Sequence, residues 1–183
     1  MAIGEYALST LQTLKDELLS DPLDSSQDGP LLRALLSATD RVESYVGRKL
    51  CFRSGLIFES QGLGSSRYLV LPAHPVRVVT RVDALDADGA PELYDPLDYA
   101  LDGERGMLFN RRGAWADAQQ TRWNTVSRPP FKGNSRPHIR ITYSAGYYGP
   151  NQIALGERDL PYDIEQAALL FAKSSYLTRE TDM

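Results

Sequence analysis

The chain has 183 residues, of which 42% are hydrophobic and 24% charged, and a formal net charge of −4. That balance reads as one soluble globular domain; it argues against a general nucleic-acid binder, and no run approaches the ~20 apolar residues of a membrane span. A single cysteine, Cys51, excludes an intrachain disulfide framework and a paired-cysteine metal site, and fits folding in a reducing cytoplasm.

The first elements are helical. Ser9-Thr10-Leu11-Gln12 has the form of a capping box, with the Ser9 hydroxyl placed to bond the backbone N–H three residues on. Leu8, Leu11, Leu14 and Leu18 then form one apolar stripe, and Asp21-Pro22 ends the helix. Pro30 suits the first position of a second helix. Its buried side is expected to hold Leu31, Leu32, Leu35, Ala38, Val42, Tyr45 and Val46, and Gly47 stands where a left-handed cap is needed.

The period then changes from about 3.6 to about 2. Leu56–Glu59, Tyr68–Leu71 and Val76–Leu85 read as strands, with Pro72 and Pro75 fixing a bend between the last two. Asp88-Gly89 is a turn signal. Asp102-Gly103 joins Tyr99–Leu101 to Met107–Phe109 as a short hairpin, and Ile139–Tyr143 is the last strand. Asp159-Leu160-Pro161 opens a final helix, Tyr162–Thr178, whose apolar and small face is expected to include Ile164, Ala167, Ala168, Leu170, Phe171, Ser174 and Ser175. The expected architecture is α+β. A small helical bundle is made of two N-terminal helices (8–50) and a C-terminal helix with its tail (159–183), and it carries an antiparallel β insertion over 52–145.

Residues 111–137 show neither period. Six basic residues against one acid give this stretch a net +5, leaving −9 for the rest, and Trp115, Trp123 and Phe131 stand among the arginines. The segment is long for a connection and reads as an arm; as a hairpin, each limb would reach ~40 Å. Three readings stay open: a protein interface, a loop packed on its own sheet, or direct contact with nucleic acid through stacking and phosphate neutralisation. The candidate contact residues are Arg111, Arg112, Trp115, Trp123, Arg128, Phe131 and Lys132. Eight acids lie between Asp83 and Glu104, so two patches of opposite sign point to self-assembly or a polar partner.

Motifs for chemistry are weak. Thr142-Tyr143-Ser144-Ala145-Gly146 is a nucleophile elbow with its first glycine replaced. Both histidines, His74 and His138, precede Ser144, and His138 is ~20 Å away along a straight strand. Ser144 therefore reads as a turn residue, with Gly146 supplying positive φ. Asp86-Ala87-Asp88-Gly89 lacks the later ligands of a calcium loop. Gly62-Leu63-Gly64-Ser65-Ser66 has no lysine of a phosphate loop. No catalytic set, metal site or cofactor site is expected.

The ordered set of motifs carries more than any one of them. It runs from Glu43-Ser44-Tyr45-Val46-Gly47-Arg48-Lys49-Leu50 to Leu69-Val70-Leu71-Pro72 and Pro75-Val76-Arg77-Val78-Val79. It continues through Tyr99-Ala100-Leu101-Asp102, Gly106-Met107-Leu108 and Ile141-Thr142-Tyr143-Ser144-Ala145-Gly146-Tyr147 to Leu160-Pro161 and Thr178-Arg179-Glu180. This order resembles the head–tail connector, or head-completion adaptor, family of tailed bacteriophages, over roughly residues 8–180. The arm and the acidic loop at 86–98 are longer than the links usual in that family, and the C-terminal tail is shorter.

The resemblance implies a structural virion protein of the neck, made in the host bacterial cytoplasm. It implies a ring, commonly twelve-fold, below the portal. Such a ring joins the portal to a stopper or tail-completion protein and extends a channel for DNA without sequence specificity. It also implies that Tyr162–Met183 meets the portal, with Tyr176, Leu177, Thr178, Arg179, Glu180 and Met183 as candidate contacts. A stopper or tail-completion protein of the same neck, a nucleic-acid module using the basic aromatic arm, and an enzyme of unknown type are the alternatives.

Overall fold

The computed structural model describes residues 6–18, 25–61, 66–85, 91–113, 115, 138–152 and 155–181. They fall into two compact units, one of Met1–Phe52 with Tyr147–Met183, the other of Arg53–Gly146.

The first unit is helical. Its first helix, α1, is Leu11–Glu17. Thr10, not Ser9, caps it: the extended Thr10 accepts the Thr13 N–H at 3.0 Å. The Ser9 hydroxyl instead donates to Glu165 Oε1 at 2.8 Å, because Ser9 is buried beside that carboxylate. The second helix, α2, is Asp28–Val46 and starts two residues before Pro30. Proline is accommodated there because the first four N–H groups of a helix have no partner within it. Gly47 ends α2 at φ 74°, donating its N–H to the Glu43 carbonyl. The last helix, α3, is Tyr162–Thr181, three residues longer than its pattern suggested.

One core of this unit joins Leu14, Leu31, Leu35, Ala38, Leu169 and Ala172; a second joins Leu8, Val42, Leu50, Cys51, Leu160 and Ala168. The three alanines let α2 and α3 approach closely. Two expectations about burial fail. Tyr45 is 93% exposed and Val46 is exposed, although both continue the apolar stripe of α2. Leu170 and Phe171 are also exposed, because α3 turns Glu165, Ala168, Leu169 and Ala172 inward. A stripe wider than the surface available to cover it leaves its margin in solvent.

The second unit holds two antiparallel sheets. The four-stranded sheet has the order β1 (Arg53–Gln61), β7 (His138–Ala145), β3 (Val76–Leu85), β4 (Pro91–Leu93). The three-stranded sheet has the order β2 (Tyr68–Val70), β6 (Met107–Asn110), β5 (Tyr99–Asp102). A 3-10 turn, Pro96–Asp98, precedes β5. Strand β7 shows why the pattern was readable: Ile139, Ile141, Tyr143 and Ala145 face the core, while Arg140, Thr142 and Ser144 alternate between them. Leu69, Leu71, Val76, Val82 and Leu108 complete the core around them.

The β5–β6 hairpin turns at Gly103–Gly106 and is tied to the bend before β3. The Leu71 N–H donates to the Gly106 carbonyl at 2.8 Å, and the Val76 N–H to the Gly103 carbonyl at 2.7 Å. The approach is so close that a Cβ on Gly103 would lie 2.6 Å from the Val76 carbonyl oxygen. The His74–Pro75 peptide in this bend is cis. The Asp88-Gly89 turn lies outside the described residues.

Candidate assembly surfaces

Ser144 is not at an apex. It lies within β7, opposite Val78 of β3, and the chain turns two residues later at Gly146, φ 112°. The Gly146 N–H then donates to the Pro75 carbonyl at 2.8 Å. His138 opens the same strand, at its other end. Among the described residues, no group of three His, Cys, Asp or Glu side chains is placed to hold a metal ion. No described helix is long and apolar enough to cross a membrane. The hydroxyls of Tyr99 and Tyr143 are pushed above the ordinary tyrosine range mainly by burial.

Of the arm residues, Arg111, Arg112 and Trp115 lie within the described part. Arg111 is exposed and donates its backbone N–H to the Asp98 carbonyl at 2.9 Å. Arg112 is half-exposed, and its Nε lies 2.6 Å from Oδ1 of the buried Asp98. Trp115 is completely buried, which corrects its expected place on a contact surface. Its ring meets Tyr94 edge-on at 5.5 Å, the Tyr94 hydroxyl donates to the Trp115 carbonyl at 3.1 Å, and the Trp115 backbone N–H donates to the Ser66 carbonyl. For this residue the self-packing reading holds. Trp123, Arg128, Phe131 and Lys132 lie outside the described residues.

The acidic stretch is also partly spent within its own unit. Asp83 is buried and takes the Arg81 Nε at 2.7 Å; Asp98 takes Arg112; Asp102 lies 3.7 Å from Arg105. Asp95 accepts the Leu97 N–H at 2.9 Å and caps the 3-10 turn. The Asp98–Arg112 pair joins the acidic and basic stretches inside one chain.

At the end of α3, Tyr176 packs against the helical core, whereas Leu177 and Thr178 are exposed. The Thr178 hydroxyl donates to the Ser174 carbonyl at 2.9 Å. Arg179 and Glu180 continue the helix, and Met183 lies outside the described residues.

Two apolar surfaces were not foreseen. In the helical unit, Val42, Tyr45 and Val46 of α2 face Ile164, Ala167 and Phe171 of α3 across a groove of about 490 Å³, with Arg41 and Asp163 also lining it. In the β unit, Tyr68 and Val70 stand exposed on β2, with the Tyr68 ring 5.2 Å from that of Phe109. The apolar period marked the groove residues but assigned them to a core, because period reports that a face needs covering and not what covers it.

No family of known proteins matches the chain in sequence, and no curated protein does. Its fold, in contrast, is shared with solved structures. A chain from the neck of an empty gene transfer agent particle, computed with C6 symmetry, matches 96% of this chain and 80% of its own length, with 23% identity and a TM-score of 0.63. A chain from the neck of the native particle, computed with C12 symmetry, matches the same shares at 24% identity and a TM-score of 0.54. A chain from the virion of the native particle matches at 22% identity and a TM-score of 0.57, over 96% of this chain and 81% of that one. The protein therefore has the α+β fold found in the neck of gene transfer agent particles.

Proposed function

We propose that this protein is a structural component of the neck of a phage-like particle, an adaptor that forms a ring between the portal and the stopper or tail-completion protein. The observation that carries the reading is the fold shared over 96% of the chain with neck chains in assemblies of C6 and C12 symmetry. A closed ring of identical copies needs two different surfaces on each subunit. The exposed apolar groups of the helical unit and of β2 supply candidate surfaces on two separate units. In this reading DNA passes through the ring without base recognition. The exposed end of α3, with Leu177 and Thr178, meets the portal, and Arg111, Trp123, Arg128, Phe131 and Lys132 of the arm contact a neighbouring subunit or partner.

Electron microscopy of particles made without this gene tests the proposal. The expected result is finished heads and unattached tails, joined again when the protein is supplied. Normal tailed particles would overturn it.

A further inference from the structure

We draw no further inference here: the strongest candidate, the apolar groove between α2 and α3 lined by Val42, Tyr45, Val46, Ile164, Ala167 and Phe171, is an unpartnered helical face, and nothing in the structure shows what covers it.

Discussion

The carboxylate of Asp98 is buried at the end of the 3-10 turn and receives Arg112 Nε at 2.6 Å from just beyond β6. The contact fixes the root of the arm to the turn that precedes β5, and the Arg112 backbone N–H adds a bond to Asn110 Oδ1 at 2.9 Å. Arg112 thus has a structural role in its own chain before any partner is considered.

Arg112→Ala is expected to lower stability by about 1–2 kcal/mol. Losing the partner of a fully buried charge costs more, and the half-exposed arginine reduces the figure through solvent screening. Urea unfolding of the wild type and the variant measures it. An unchanged midpoint would show that the pair contributes nothing.

Core and surface aromatics should separate cleanly. Trp115→Ala is expected to cost about 3–5 kcal/mol, as for other large buried aromatic truncations. Phe171→Ser, at a half-exposed position, is expected to cost only about 1 kcal/mol, because about half of the side chain is already in solvent. If the groove is a contact surface, this variant folds but fails to complement particles lacking the gene. Full complementation would remove the groove from the assembly reading.

Two glycine substitutions should act in opposite directions. Gly103→Ala places a Cβ 2.6 Å from the Val76 carbonyl oxygen, and overpacking of this kind costs about 1–3 kcal/mol. Gly29→Ala, in the first turn of α2 with nothing within 4 Å of the new Cβ, is expected to add up to ~1 kcal/mol by helix propensity. Thermal melts of both variants check the pair.

Alkaline unfolding should report the buried tyrosines. The folded-state pKa of Tyr143 is raised above 10.0, so folding favours its neutral form. That contribution is full below the unfolded-state value and is lost as pH rises through the folded one. Stability measured against pH is expected to fall above about pH 10, and Tyr143→Phe should flatten part of that fall. An identical slope in the variant would assign the loss to other groups.

The arm can be tested without disturbing the core now that Trp115 is known to belong to it. A chain in which 116–136 is replaced by a short Gly-Ser linker is expected to fold and to fail in joining heads to tails. Normal particles from that chain would show that Trp123, Arg128, Phe131 and Lys132 make no required contact.

Local pattern determined much of this protein. Alternation defined Val76–Leu85 and most of β7, the Asp102-Gly103 signal placed the β5–β6 hairpin, and Gly47 marked the end of α2. These features depend on backbone preference and on neighbours a few residues apart, which a sequence displays directly. Its ordered motifs also led to the neck fold. The tertiary structure decided what depends on distant partners. Ser9 lost the cap of α1 to Thr10 because Glu165 lies 156 positions along the chain from it. Trp115 became core because Tyr94 and Ser66 meet it. Tyr45 and Phe171 became surface because the apolar stripes of α2 and α3 are wider than the contact between them. Burial is a property of a pair of surfaces, and one strand of sequence shows only one member of each pair.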